Sequence, residues 1–519
     1  MKVLSSREAA ALIADGWTVS TSGFTGSGHP EGISAAIEKR FLETGHPRDL
    51  TLIYAAGQGD RATRGAGRFG HEGLVRRIIG GHWGAAPRLG ALAVANKVEA
   101  HNWPQGVIAQ LYRAIAGRKP GVVSPIGLHT FIDPRYDGGR LNEATKESLV
   151  ELIRLRGEEY LFYPALPIDC ALIRCTTADE AGNLGMEEEP HFNDVLPLAQ
   201  AAHNSGGIVV AQVKRLVRAG EIPPMQVKVP GILVDVVVVA ENAEDHWQTY
   251  GEPYNPAYTG AAPRPAAGAA PRPLPLDLRK IVQRRAVLEL PRWQRPIINL
   301  GVGMSAGVGE VAREEGLSDF VMTVESGPIG GTPAQYPSFG ASAHPDAIVT
   351  HAEQFDFYDG GGLDVTFLGL AQVDAQGNVN VSKFGDRIAG VGGFVNITQT
   401  TKEVVFMGAL TAKGLEVHAA DGRLEIRKEG AVKKVVEKVE HLSFNGAYTV
   451  GRGARVLYIT ERAVFELRDG RLTLTEVAPG IDLERQVLAQ LAVPVPVAPD
   501  LKTMDARIFR DAPMLAART

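Results

Sequence analysis

The sequence predicts an α/β protein of two tandem open α/β domains, with mostly parallel sheets and added hairpins. Three observations carry that expectation. A proline- and alanine-rich stretch divides the 519 residues into parts of similar size. Each part opens on a strand, a glycine-rich turn and a helix. The two parts also share a spaced motif that reads as a duplication.

The stretch Pro253–Pro275 repeats proline and alanine without apolar periodicity, which marks an extended, semi-rigid linker. Residues 1–252 and 276–519 on either side are each long enough for a domain, at roughly 100–200 residues per domain. In the first part, Trp17-Thr-Val-Ser20 leads through the glycines of residues 23–32 into the helical pattern Ile33–Phe41. In the second, Pro296–Leu300 leads through Gly301, Gly303, Gly307 and Gly309 into a helix from Glu310. Strands alternating with helices argue for parallel sheets, whose ligand sites lie at the carboxyl ends of strands.

The duplication is read from Asp169–Asn183 and Asp364–Asn378. Each has an Asp, an apolar run, a second Asp ten residues on, then x-x-Gly-Asn. Each is followed about 25 residues later by another apolar run, 207–213 or 403–410. A tight turn in any strand-rich protein also explains Gly-Asn; the matched spacing favours duplication. Residues 413–440 and 453–477 read as hairpins, turning at Asp421-Gly422 and Asp469-Gly470.

Composition narrows the function classes. The 54 basic and 59 acidic residues leave a net charge of −5 with no long basic tract, so no nucleic-acid partner is expected. Cys170 and Cys175 are the only cysteines. Their odd spacing puts them on opposite faces of a strand, against a disulfide, and their scarcity suits a reducing compartment. The N-terminus carries charges where a signal peptide needs an apolar core. The most apolar run, 231–240, is interrupted by Asp235 and too short to span a bilayer. A soluble, cytoplasmic protein with no membrane partner is the expectation. The 13 histidines show no H-E-x-x-H and the cysteines no C-x-x-C, so no metal site is expected. Ser326 lies outside any G-x-S-x-G elbow. Glycine is in excess, 59 residues of 519 against a usual ~7%. It belongs where the backbone needs positive φ or a close approach.

The glycine turns hold the chemical candidates. Gly301-Val-Gly-Met-Ser-Ala306 matches G-x-G-x-x-A, and Glu325 falls 24 residues after Gly301, where a ribose-binding acid would stand. Exposed N–H groups at such a helix start suit an anion or an oxyanion. Thr323-Val-Glu325-Ser-Gly-Pro-Ile-Gly-Gly331 places a carboxylate at a strand end with three glycines behind it. Such a carboxylate, desolvated and ionised, can act as a covalent nucleophile; a solvent-facing Glu on a glycine bend fits the same spacing. Gly385-Asp-Arg-Ile-Ala-Gly-Val-Gly-Gly-Phe394 can supply backbone donors to a developing oxyanion, or simply cross beneath the sheet.

Together these turns resemble family I coenzyme A transferases. The segments are Glu325–Gly331, Phe355-Asp-Phe-Tyr-Asp-Gly-Gly-Gly-Leu-Asp364 and Gly390-Val-Gly-Gly-Phe394, joined by His101-Asn-Trp-Pro-Gln-Gly106, Ser124–Pro134 and Val379–Gly385. The similarity is to the single-chain branch, which comprises propionate CoA-transferase and the acyl-CoA:acetate/3-ketoacid CoA-transferases. It covers most of both halves. No single segment is specific; the combination is.

The resemblance implies fused α- and β-subunit-like domains, 1–252 and 276–519, and a ping-pong reaction without metal or permanently bound cofactor. Coenzyme A is then substrate and part of a covalent intermediate. Glu325 is the implied nucleophile, forming an acyl-glutamyl anhydride and then a glutamyl-CoA thioester. Amides of Val302, Gly303, Gly392 and Gly393 are the implied oxyanion donors, with the inward amide of each pair left open. Gln105 is implied to contact the substrate carboxylate or carbonyl while also starting a helix. Phe24, Gly26, Gly28 and Phe394 are implied walls for pantetheine. Lys383 is a candidate phosphate contact or a solvated lysine. Short-chain acyl-CoA and carboxylic acids are the implied partners, and the assembly a homodimer or homotetramer.

Three other readings compete. A thioester hydrolase on the same scaffold would use water as acceptor. An NAD(P)-binding oxidoreductase would rest on G-x-G-x-x-A. A non-catalytic acyl-CoA sensor would leave Glu325 without a role.

Overall fold

The computed structural model describes residues 1–265 and 274–515. Residues 266–273 of the expected linker lie outside the described residues. The chain forms two compact units. One comprises Met1–Arg264, Val324–Asp356 and Ser382–Asn396; the other comprises Pro265–Thr323, Phe357–Val381 and Ile397–Thr519. Two short segments that follow the linker in sequence, one of them carrying Glu325, thus belong to the first unit.

The first unit is built on an eight-stranded sheet in which every pairing is parallel. Its strands run Lys2–Val3, Val236–Val239, Ile208–Val213, Cys170–Arg174, Thr18–Thr21, Leu50–Tyr54, Val75–Gly80 and Glu99–Asn102 across the sheet. Their residues are largely apolar and buried, as strands covered on both faces must be. From Thr18–Thr21 the chain adds strands on one side as far as Glu99–Asn102, then returns to add Cys170–Arg174 on the other. That reversal is a topological switch point, which opens a crevice at the carboxyl ends of the strands. The turn after Thr21, with Gly23 and Phe24, stands there. The edge strand Glu99–Asn102 delivers Gln105 to the start of the helix Gln105–Ala116. Cys170 and Cys175 are buried and unpaired.

In the second unit, Val321–Thr323, Ile297–Leu300, Val365–Gly369, Glu403–Met407 and Arg455–Ile459 pair in parallel. The sheet continues through the hairpin Ala463–Arg468 and Arg471–Val477, antiparallel to Arg455–Ile459. A second hairpin pairs Glu416–Ala420 with Arg423–Lys428. Both turn where the sequence predicts, with Asp421 and Gly422, and Asp469 and Gly470, all at positive φ. Two successive left-handed residues match the twist of the flanking strands. The region 453–477 is therefore a hairpin preceded by an interior parallel strand. Arg284 and Glu315 form an ion pair with no exposed side-chain surface, and Arg284 also donates to the carbonyls of Ile508 and Ala512, tying down the C-terminal segment.

The duplicated motif is the same object twice, atom for atom. Asp179 accepts from the N–H of Ala181 and of Asn183 and from the Asn183 amide, at 2.9, 2.9 and 3.0 Å. Asp374 accepts from the N–H of Gln376 and of Asn378 and from the Asn378 amide, each at 3.0 Å. Gly182 and Gly377 hold φ of 87° and 73°, a left-handed conformation the tight turn demands. Ten residues earlier, Asp169 accepts from the N–H of Thr18 and Asp364 from that of Ile297, at 2.7 and 2.9 Å. Each of these aspartates stands just before its own strand and thus holds the first residue of the neighbouring parallel strand.

Asp374 is 2% exposed, so its removal strands two backbone donors. Asp374→Ala is expected to lower unfolding stability by about 2–4 kcal/mol, and Asp374→Asn, which keeps the accepting oxygen, by less. The urea midpoint measures both; equal losses would show that the carboxylate's bonds are not what holds the turn.

Candidate active site

Glu325 stands two residues after the strand Val321–Thr323, on a turn closed by hydrogen bonds between Val324 and Pro328 and from Gly327 to Val324. A Cβ on Gly327 would fall 2.1 Å from the Val349 carbonyl, so the turn can be this tight only with glycine there. The Ser326 hydroxyl donates to the Gly340 carbonyl and is fully buried, which makes it a strut of the turn.

The carboxylate lies against residues from distant parts of the chain. The Gln105 side-chain amide donates to Glu325 Oε2 at 3.4 Å across 220 residues of sequence. Gln105 is 2% exposed, and its backbone N–H donates to the Gly392 carbonyl at 2.9 Å. The helix it begins is held at Gly106, whose N–H donates to Asn396 at 3.2 Å. A Cβ on Gly393 would sit 3.1 Å from Glu325 Cδ and 2.9 Å from the Phe355 ring, so glycine lets the backbone reach the carboxylate.

The donors of the 390–394 turn are sorted by their existing bonds. The Gly392 N–H donates to the Gly81 carbonyl at 2.8 Å and is thereby committed. The Gly393 N–H has no partner among the described residues and stands immediately before the helix Phe394–Thr400. Asn102 anchors the turn, accepting from the Val391 N–H at 3.0 Å and donating to the Gly80 and Gly81 carbonyls.

The other expected residues are placed as follows. Phe24 is buried, edge-on to His191 and His351 with ring centres 5.8 and 6.1 Å away. Gly26 and Gly28 pack tightly against Tyr250 and Asn193. Phe394 opens its helix and is nearly buried. The Lys383 ammonium donates to the Leu141 carbonyl at 2.8 Å. Val302 and Gly303 belong to the second unit, where they follow the strand Ile297–Leu300, with Val302 half exposed.

Two residues that the sequence did not single out complete the cluster. His351 begins the helix His351–Asp359, one turn before Phe355. Its Nε2 lies 2.9 Å from the Gln105 amide nitrogen, and its Nδ1 lies 2.9 Å from Asp194. One histidine among 13 carries no distinguishing spacing. Asp194, at the N-cap position of the helix Val195–Asn204, reads in sequence as an ordinary cap.

Electrostatics at Glu325 are set first by burial. The residue keeps a partly accessible surface, but its carboxylate is packed by protein, and loss of water pushes its pKa up to about 7. That rise is opposed by His351 in its protonated form and by the Gln105 hydrogen bond. The arrangement therefore holds a carboxylate that ionises near neutrality, as a nucleophile needs.

A carboxyl whose folded pKa exceeds its unfolded value stabilises the fold only while protonated in both states, and that contribution is lost as pH rises through the folded pKa. Glu325→Gln is accordingly expected to stabilise the protein by on the order of 2 kcal/mol at pH 8 and by little at pH 4. Thermal unfolding of both proteins across that range measures it. An effect independent of pH would mean that Glu325 is not desolvated.

With this geometry in hand, the chain can be set beside known proteins. The Coenzyme A transferase family model matches residues 3–240. Caffeate CoA-transferase of Acetobacterium woodii is 46% identical over 516 residues, 98% of each chain. Acetate CoA-transferase YdiF of Escherichia coli K12 is 45% identical, over 99% of this chain and 96% of its own. The crystal structure of acyl-CoA transferase (YdiF) apoenzyme from Escherichia coli O157:H7 superposes with a TM-score of 0.93 at 44% identity, covering 99% and 96% of the two chains. The two-domain α/β fold is thus the one seen in that enzyme. Similarity of this extent over the whole length shows that the chain belongs to the coenzyme A transferase family and is an enzyme of that class.

Proposed function

We propose that the protein is an acyl-CoA:carboxylate CoA-transferase for short-chain acids of the acetate, propionate or 3-oxo acid type, working by ping-pong through Glu325. The carrying observation is a desolvated carboxylate, pKa about 7, with a donor amide on one oxygen and glycine backbone beside its carbon. The Glu325 oxygen attacks the thioester carbonyl, the C–S bond breaks, and CoA leaves as thiolate from an acyl-glutamyl anhydride. The thiolate attacks the glutamyl carbonyl, forming glutamyl-CoA and expelling the donor acid as carboxylate. An acceptor carboxylate then attacks glutamyl-CoA, and the released thiolate takes the new acyl group and restores Glu325. Each step exchanges one activated acyl bond for another, so neither nucleotide hydrolysis nor a redox partner is needed.

In this reading the Gln105 hydrogen that meets Glu325 in the free enzyme turns to the substrate oxygen once acyl-CoA is bound. The Gly393 N–H receives the tetrahedral oxyanion; a preorganised amide suits that task because it needs no reorientation during the reaction. Phe24, Gly26, Gly28 and Phe394 border the pantetheine path, and Lys383 stands by for a phosphate. The relative YdiF has been crystallised as a thioester complex with CoA, which supports a covalent CoA intermediate here. The twin aspartate turns support descent of 1–252 and 276–519 from α-like and β-like partners. A homodimer or homotetramer in the cytoplasm completes the proposal.

A second acyl specificity is favoured by one finding. Caffeate CoA-transferase and acetate CoA-transferase are equally similar to this chain, 46% and 45% identical, so an arylacrylate competes with a short aliphatic acid. Initial rates from acetyl-CoA to acetate, propionate, butyrate and caffeate separate the two. Release of free CoA at the same rate with and without acceptor would replace both with a hydrolase.

Incubation with acetyl-CoA alone is expected to leave CoA attached at Glu325, read by peptide mass. Glu325→Ala should abolish exchange, and Glu325→Asp should lose at least about 100-fold, because one methylene withdraws the nucleophile by over 1 Å. In the native enzyme kcat/KM should fall tenfold per pH unit below about 7, as Glu325 protonates. Full turnover by folded Glu325→Ala would end the covalent reading.

A further inference from the structure

The unexplained feature beside Glu325 is the buried pair His351 and Asp194. They are 1% and 3% exposed, and neither reaches the Glu325 carboxylate through a direct hydrogen bond. Asp194 occupies a helix N-cap, where an aspartate ordinarily accepts from its own helix's N–H groups. It makes no such bond. Its two oxygens instead lie 3.1 and 2.9 Å from His351 Nδ1. The imidazole is clamped as well as bonded: the rings of Phe24 and Phe355 meet it edge-on at 85° and 66°.

A carboxylate can only accept, so the hydrogen facing it must sit on Nδ1. In the neutral imidazole that leaves the Nε2 lone pair facing Gln105, and a lone pair can be met only by N–H. The same Gln105 nitrogen lies 2.9 Å from Nε2 and 3.4 Å from Glu325 Oε2, and its two hydrogens serve both. Rotation of the amide by 180° preserves its shape but would set a carbonyl oxygen against both a lone pair and a carboxylate.

We propose that Asp194 and His351 are positioning residues that fix the orientation of the Gln105 amide, so that Glu325 meets N–H and never C=O. Asp194 selects the imidazole tautomer, the tautomer selects the amide face, and the amide face orients the nucleophile. Neither residue touches the reacting atoms. This rests on Glu325 as nucleophile for its effect on rate, but the tautomer it requires is independent of that reading.

Asp194→Asn preserves size while allowing the new amide to donate to Nδ1, which moves the hydrogen to Nε2 and turns Gln105 round. Single-turnover labelling of Glu325 by acetyl-CoA should slow about 10- to 100-fold, with the melting temperature little changed. In a Gln105→Ala background, where no amide remains to orient, the same substitution should cost less than about twofold. His351→Gln, which can donate to Asp194 and accept from Gln105, should retain more activity than His351→Leu; that pair carries the test if Asp194→Asn does not fold. An undiminished rate in Asp194→Asn, or an equal loss with and without Gln105, would overturn the relay. Nitrogen NMR of labelled imidazole, assigned by loss of the signal in His351→Gln, should show Nδ1–H in the native protein and Nε2–H in Asp194→Asn. If native protein is never labelled at Glu325, the nucleophile reading fails alone, and these spectra still decide the relay: Nε2–H in the native protein refutes it.

Discussion

A reactive carboxylate must be dry and ionised together, and these demands oppose each other. Water stabilises the ion but blunts it as a nucleophile. Burial sharpens it but favours the neutral acid. At Glu325 the balance falls near neutrality, because desolvation is only partly offset by the groups around the carboxylate. The rest of the site follows from this constraint. A donor is needed close to the carboxylate, yet a second full charge against it would quench its reactivity. A neutral glutamine amide meets that requirement, provided that it presents the correct face.

The fold answers by bringing main chain as well as side chains to the carboxylate. Gly393 lets the backbone approach Glu325 to a distance no side chain would allow. The neighbouring Gly392 amide is already bonded to Gly81, and Asn102 ties Val391 to the end of the strand Val75–Gly80. Those bonds make the Gly390–Phe394 turn rigid, so its remaining free amide has a defined direction before any ligand arrives. Preorganisation of that kind is cheap at the moment of reaction, because it was settled during folding.

The two units repeat one construction. An Asp-turn with a left-handed glycine and an Asn follows a short strand beyond each central strand, in the same hydrogen-bond pattern. An earlier Asp in each binds the first N–H of the adjoining parallel strand. Asp179 and Asp374 are structural aspartates, buried with their oxygens bonded to backbone N–H groups and an Asn amide. Glu325 differs in that few of its acceptor sites are spent: one side-chain amide meets one of its oxygens.

Local patterns were legible in the sequence because they are enforced locally. The Asp-Gly hairpin turns, the strand–glycine–helix openings and the spaced Asp–Gly–Asn repeat all depend on φ preferences and short-range hydrogen bonds. Glu325 stood out because glycines crowd behind it, and Gln105 through its place in a recognisable segment. The sequence could not pair them. Their contact spans 220 residues, and that between His351 and Asp194 spans 157. Asp194 looked like a helix cap, and His351 like any histidine, because burial and orientation are properties of packing and leave no spacing to read. Which of the Gly392 and Gly393 N–H groups is already bonded likewise belonged to tertiary structure, since the Gly81 carbonyl accepts from Gly392. By itself the sequence determined which side chains are available to this enzyme; only folding decided which of them are desolvated, because packing alone strips water from a carboxylate such as that of Glu325.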